Sequence, residues 1–213
     1  MSVRLVVASG NRHKVVELAA MLQAAPQAVE VLGLSSFPDA PEVPETADTF
    51  VGNAALKAQG IADYLRARGE AGDTLVLADD SGLAVEALEG APGVYSARFS
   101  GPAATDASNN EKLVAELQAR DLTSSAAHYA CILALCRVDG AAFGGRDLHT
   151  FEGRWDVVVR TSSRGEGGFG YDPHAWLLDA DTTVAELSRD EKATRSHRGV
   201  ALRALLAGWP LGT

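Results

Sequence analysis

Three stretches of the sequence hold residue types that phosphate and metal chemistry require. Ser9-Gly10-Asn11-Arg12-His13-Lys14 is a small-residue turn leading into the first helical pattern, with a Lys in its opening turn. Free backbone N–H groups at a helix start, joined by an ammonium, suit a phosphate. GxxxxGK[ST] is absent, so the same residues also read as a capped helix with a solvated Lys. Lys57 falls within roughly 20° to 40° of Phe50 and Ile61 on an apolar stripe at about 100° per residue. Its stem could snorkel along that face, or its charge could be aimed into a cleft.

Asp79 and Asp80 close the apolar run Thr74 to Ala78, at the kind of strand end where open α/β sheets hold ligands. Neighbours in extended chain point to opposite sides, so one of the two would face a given site directly. Their mutual repulsion is offset most readily by a cation or by turn N–H donors. A polar strand end with an Asx turn is the plainer reading. Together with Glu45 they offer oxygen ligands of the kind Mg²⁺ takes while it keeps waters and shares substrate phosphates.

Gly165-x-Gly167-x-x-Gly170 matches GxGxxG, but Tyr171-Asp172-Pro173 and Trp176-Leu177-Leu178 follow it in place of the required helix, so it is not read as a dinucleotide site. What remains is a turn holding Phe169, Gly170, Tyr171 and Asp172, which could stack on a base or pack its two aromatics in a loop hinge. Lys192, His197 and Arg198 gather next to two helix starts, either as donors or as a solvated helix face.

These groups need a frame, and the hydrophobic periodicity supplies one. Arg4 to Ala8 reads as a strand, Val15, Leu18, Ala19 and Leu22 recur at helical spacing, and Val29 to Leu34 is a second strand. FPDAPEVPET is an exposed loop with carboxylates at Asp39, Glu42 and Glu45, and Asp48 just beyond. A helix is expected from about Asp48 to Arg68, and a buried strand from Thr74 to Ala78 that stops at Asp79-Asp80-Ser81-Gly82. Period-two alternation resumes at Leu83, Val85 and Ala87. Asp106 to Ala119 reads as helix, Ala126 to Val138 and Phe151 to Arg160 as long strands. Ser188-x-x-Glu191 is a capping box, and Val200 to Ala207 belongs to a last helix that Ser196 could cap. Intermixed helices and strands give an α/β fold with a mixed sheet.

The chain has 213 residues, 46% of them apolar and 22% charged, an ordinary globular balance. At this length roughly 70% of the extended surface can be buried without staples. With 19 Lys and Arg against 28 Asp and Glu, a net charge of −9 and no basic run, duplex nucleic acid and anionic membrane are not expected partners. Leu5 to Ala8 is too short for a signal core or a membrane span, so an intracellular, cytoplasmic protein is expected. Cys131 and Cys136, five apart in a strand, would stand roughly 16 Å apart and cannot pair.

ASGNRHKVVELAAML, TFVGNAALKA, LADDSGLAVEALEGAPGVYSARFSG, ATDASNNEKL, GGFGYDP and ELSRDEKATRSHRGVAL, in that order from Ala8 to about Leu202, resemble the inosine triphosphate pyrophosphatase family, the dITP/XTP pyrophosphatases. The resemblance implies one domain over residues 1–213, with two lobes flanking a long-stranded sheet and the nucleotide in a cleft between them. It also implies a homodimer and Mg²⁺-dependent hydrolysis of deaminated purine nucleoside triphosphates (ITP, dITP, XTP) to the monophosphate and pyrophosphate. By motif, Ser9, Gly10, Asn11, Arg12, His13 and Lys14 would hold phosphates with Lys57. Asp80 would activate the water, with Asp79 close by, Ser81 on the substrate and Glu45 helping to hold the metal. Phe169, Gly170, Tyr171, Asp172, Lys192, His197 and Arg198 would form the base pocket. The chain departs from the pattern at Gly52, where the family typically has Glu, and in LRARGEAGD, expected to form a longer surface loop. Competing expectations are a metal-dependent phosphohydrolase releasing orthophosphate and a nucleotide-binding module without catalysis.

Overall fold

The computed structural model of the chain describes residues 3–25, 28–142, 145 and 147–209. Six strands form one mixed sheet in the order β2-β1-β3-β4-β5-β6, with bounds β1 Val3–Val7, β2 Val29–Gly33, β3 Leu75–Val85, β4 Ser124–Arg137, β5 Leu148–Arg160 and β6 Ala175–Trp176. β1 runs parallel to β2, with Leu5 opposite Val31, and parallel to β3, with Val6 opposite Val76. β5 and β6 are antiparallel. The helices are α1 Arg12–Leu22, α2 Phe50–Ala67, α3 Asp106–Gln118, α4 Arg189–Arg195 and α5 His197–Ala207. The expected α/β class with a mixed sheet is borne out.

The chain divides into two compact units: one gathers the residues up to Asp80, Cys131–Gly153 and the chain from Arg198 on, the other Ser81–Ala130 and Arg154–His197. In the first unit the sheet is buried on both faces. Val6, Val76, Ala78, Ile132 and Ala134 pack on Ala54, Ala58, Ile61 and Leu65 of α2, while Leu5, Val7, Leu75, Leu77 and Leu133 pack on Leu18 and Leu22 of α1 and on Leu202 and Leu205 of α5. Strands covered on both faces are apolar at every position, as Val76-Leu77-Ala78 are. In the second unit Leu83, Val85, Tyr129, Val157 and Val159 pack with Leu113 and Leu117 of α3.

Two expectations are corrected, the end of β3 and the loop LRARGEAGD. β3 does not stop at Asp79-Asp80-Ser81-Gly82 but continues to Val85, so both aspartates stand inside the strand; polar residues there read as a terminus only when their partners are unknown. The expected last helix is present as α5, which begins directly after Ser196, so that His197 and Arg198 are its first residues. LRARGEAGD is not all loop: Leu65, Arg66 and Ala67 are the last turn of α2, and Leu65 is fully buried. Cys131 and Cys136 are free and buried, as expected. Among the described residues no helix is long and apolar enough to cross a membrane.

Candidate active site

The alternation of β3 sorts the two aspartates. Leu75 and Leu77 face α1 and α5, Val76 and Ala78 face α2, and the next two residues continue this division. Asp79, fully buried, accepts hydrogen bonds from Lys14 Nζ of α1, from Arg198 Nε of α5 at 2.8 Å and from Cys131 Sγ at 3.3 Å. Arg198, 1% exposed, also donates through Nη1 to Glu17 Oε2 at 2.6 Å. The result is a row of alternating sign, Lys14, Asp79, Arg198, Glu17. Burial alone would raise the Asp79 pKa, but Arg198 and Lys14 override it and hold the carboxyl well below its ordinary value. The Cys131 thiol is pushed well up by burial and by Asp79.

Asp80 faces the other way, to α2. Lys57 Nζ donates to Asp80 Oδ1 at 2.7 Å, to the Asp79 carbonyl at 2.8 Å and to Glu45 Oε1 at 2.9 Å. Of the two readings of Lys57 from sequence, the charge aimed at polar groups is the one realised. Burial disfavours that charge, yet Asp80 and Glu45 outweigh it and hold the Lys57 pKa above its ordinary value. For Asp80 burial is the largest influence, Lys57 offsets part of it, Glu45 adds to it, and the carboxyl lies above its ordinary range. The asymmetry follows from the partners, since Lys57 has two carboxylates whereas Asp80 shares one cation with Glu45.

Asp80 Oδ2 is buried and has no hydrogen-bond partner. An unsatisfied buried acceptor costs about 1–3 kcal/mol, and a cation would relieve it. No three His, Cys, Asp or Glu side chains converge among the described residues as a metal cage would need. Mg²⁺ needs no cage, because it binds through one or two carboxylates and takes its remaining ligands from water and phosphate. Asp80 and Glu45 fit that requirement.

Ser9 to His13 form the turn before α1. Asn11 is the N-cap, and its Oδ1 accepts from His13 N at 2.9 Å and Lys14 N at 3.3 Å; Ser9 Oγ accepts from Asn11 N at 3.2 Å. Gly10, Asn11, Arg12 and His13 are exposed. The capped helix read from sequence is therefore present, but its Lys is paired with Asp79 and not merely solvated.

The second unit gathers the residues expected around a base. Phe169 N and Lys192 Nζ donate to Asp172 Oδ2 at 2.9 and 2.6 Å, and Tyr129 Oη donates to Oδ1 at 3.2 Å. Lys192 Nζ also lies 4.5 Å from the centre of the Phe169 ring. Gly168 takes φ +74°, and a Cβ there would meet Asp172 Oδ2 at 2.1 Å, so this turn requires glycine. Tyr171 is buried and donates to the Ser96 carbonyl at 2.8 Å, which makes it scaffold, while Phe169 keeps part of its ring exposed. Gly170 is held from both sides, its N–H by Asp106 Oδ2 at 2.7 Å and its carbonyl by Asn110 at 2.8 Å. The His197 ring stacks on Tyr129 at 4.9 Å and 9°. Ser81 follows Asp80 in β3, half-buried.

The model of the Ham1 family matches residues 5–208. The chain is 47% identical over 204 residues to a dITP/XTP pyrophosphatase of Exiguobacterium sp., covering 96% of this chain and 95% of that one. It is 44% identical to a dITP/XTP pyrophosphatase of Nitratidesulfovibrio vulgaris, with 97% and 95% covered. A solved HAM1 protein from Coxiella burnetii superposes with a TM-score of 0.81 at 34% identity, over 96% of this chain and 97% of that one. The chain belongs to the Ham1 family. The resemblance read from the six ordered blocks is thereby borne out.

Within this Ham1 chain, several residues that matter to the site gave no signal in the sequence. Glu17 stands 181 positions from Arg198, and Tyr129 43 positions from Asp172. Only the fold brings these pairs together. Arg198, expected in the base pocket, is placed with its guanidinium on Asp79 and Glu17.

Proposed function

We propose that this Ham1 protein hydrolyses deaminated purine nucleoside triphosphates, ITP, dITP and XTP, to the monophosphate and pyrophosphate with Mg²⁺, clearing them from the cytoplasmic nucleotide pool. The observation that carries the reading is geometric: Lys57 of α2 donates to Asp80 of β3 and to Glu45, and Asp80 keeps a buried carboxylate oxygen with no hydrogen-bond partner. The names of the relatives support the substrate class.

Cleavage between the α and β phosphates needs a water in line with the leaving pyrophosphate and positive charge around the transferring phosphorus. Lys57 and Lys14 supply ammonium groups on the two sides of β3. The water oxygen bonds to the α-phosphorus, its proton moves to the Asp80 carboxylate, and the bond to the bridging oxygen breaks with its electron pair leaving on pyrophosphate. To accept the proton Asp80 must be ionised at neutral pH, which Lys57 at 2.7 Å favours. Mg²⁺, held by Asp80 and Glu45, would neutralise phosphate charge and polarise the water.

The base end is proposed to engage Phe169 and the donors Lys192 and His197. Hypoxanthine and xanthine offer an O6 acceptor and an N1–H donor, where adenine offers the reverse. A donor set facing O6 is left unpaired by adenine, at a cost worth several orders of magnitude when buried. A homodimer is part of the proposal, tested by light scattering. The deciding experiment is phosphorus NMR of the products from ITP, XTP, dITP, GTP and ATP, with Mg²⁺ and with chelator. Pyrophosphate and monophosphate from the first three, abolished by chelator, are expected; orthophosphate, or equal attack on ATP, would overturn the reading.

A further inference from the structure

Residues 43–48 have no regular secondary structure, yet their burial alternates: Val43, Glu45 and Ala47 are half-buried, Pro44, Thr46 and Asp48 exposed. That is the period of an extended chain laid along a surface. The surface is α2. A Cβ on Gly60 would come within 2.8 Å of Val43 Cγ2, and one on Gly52 within 2.5 Å of Ala47 Cβ. Val43 thus sits over Gly60 and Ala47 over Gly52. Four extended residues span about 13 Å and eight helical residues about 12 Å, so the two contacts match the two notches and the segment runs antiparallel to the helix. Glu45 falls midway, and Lys57, between the two glycines, meets it at 2.9 Å. Asn53 clips the same segment, its Oδ1 accepting from Ala47 N at 2.9 Å.

Neither glycine has a positive φ, and alanine is the better helix former, so the helix itself gives no reason for glycine at either position. Val43 is β-branched and the Ala47 methyl is fixed to backbone, so neither can swing aside. We propose that Gly52 and Gly60 are positioning residues, notches in α2 that seat residues 43–47 and so aim Glu45 at Lys57 beside Asp80. The kinetic consequence rests on the pyrophosphohydrolase reading; the seating does not.

The test pairs each clash with its relief. In Val43→Ala/Gly60→Ala the nearest remaining atom of the segment is the Cβ at 3.6 Å, and in Ala47→Gly/Gly52→Ala it is the Ala47 Cα at 4.0 Å. Hydrogen exchange of the Ala47 amide reads the seating without any substrate. Gly60→Ala is expected to speed it at least about tenfold, and the double variant to return it to within about twofold of the parent. With ITP, Gly60→Ala is expected to lower kcat/KM at least about tenfold in the parent but less than about twofold in a Glu45→Gln background. Unchanged exchange in Gly60→Ala, exchange that Val43→Ala does not restore, or equal kinetic losses in the two backgrounds would each overturn the proposal. If the parent protein does not hydrolyse ITP, the function reading fails while the exchange arm still decides the seating.

Discussion

Asp79 and Asp80 are neighbours in β3 that face opposite sides of it, Asp79 toward Lys14 and Arg198, Asp80 toward Lys57. The period of two in a strand thus separates two like charges that would otherwise repel across one site. It also gives them different titration behaviour. Asp79, with two cations, is held well below its ordinary pKa, and Asp80, with one shared cation and a buried oxygen that lacks a donor, lies above it. Asp79 is thus an ionised anchor for Arg198 and Lys14, and Asp80 is left as the carboxylate to which the proposed function gives the proton.

Asp80→Asn separates catalysis from folding. Turnover of ITP is expected to fall at least about 10²-fold. The melting temperature at pH 7 is expected to stay level or rise. A carboxyl whose folded pKa is raised adds stability below its unfolded value and loses it as pH rises through the folded pKa, so at pH 7 its ionised form is a net cost that Asn removes. Steady-state kinetics and thermal denaturation on the same preparation check both halves, and near-parental turnover would remove Asp80 from its role.

Asp79→Asn should do the reverse and act first on stability. It strips the carboxylate from buried Arg198 and from Lys14, and breaking such a pair costs about 3–5 kcal/mol. Because the Asp79 pKa is depressed, its contribution is present above the ordinary carboxyl value of about 3.9 and fades as pH falls below it through the folded pKa. Urea denaturation of parent and variant from pH 7 to pH 3 should therefore show a gap that narrows in the acid. A gap of constant size would contradict the assignment. Arg198→Ala, which removes the cation from the same carboxylate, is expected to destabilise comparably.

How much of this was legible in the sequence depends on whether a residue's partner is near in the chain or fixed by the period of its element. The opposite facing of Asp79 and Asp80 follows from strand geometry alone, and the odd position of Lys57 on an apolar stripe marked it before its partners were known. The capped start of α1 and the box at Ser188 and Glu191 are local and legible in the sequence, and the structure adds that Asn11 is the cap of α1. The continuation of β3 through four polar or small residues was not legible, because what makes Asp79 tolerable inside a strand is Arg198, 119 positions away. The ion pairs of Arg198 with Asp79 and Glu17 are invisible in the sequence for the same reason. The seat of Glu45 was hidden in two helix glycines that look like weak points until Val43 and Ala47 are placed over them.

Glu45→Gln tests the cation. Glu45 shares Lys57 with Asp80 and, in the proposed function, helps to hold Mg²⁺. Replacing a charged oxygen ligand by a neutral one is expected to raise the Mg²⁺ concentration for half-maximal rate about tenfold, the equivalent of about 1.4 kcal/mol. A Mg²⁺ titration of ITP turnover checks this, and an unshifted midpoint would take Glu45 out of the metal site.

Lys192→Ala addresses the base. Lys192 bonds Asp172 at 2.6 Å and lies over the Phe169 ring, so it ties the one partly exposed aromatic of the turn to a buried carboxylate. Its loss leaves Asp172 with Tyr129 and the Phe169 amide, both neutral donors, and frees the Phe169 ring from one side. If this cluster reads the base, kcat/KM for ITP should fall at least about tenfold while the slow reaction with ATP, which gains nothing from a donor facing O6, stays within about twofold. The ratio of the two substrates is the measurement that matters. Burial and lost packing would depress both together, whereas lost recognition depresses only the substrate whose oxygen was being recognised.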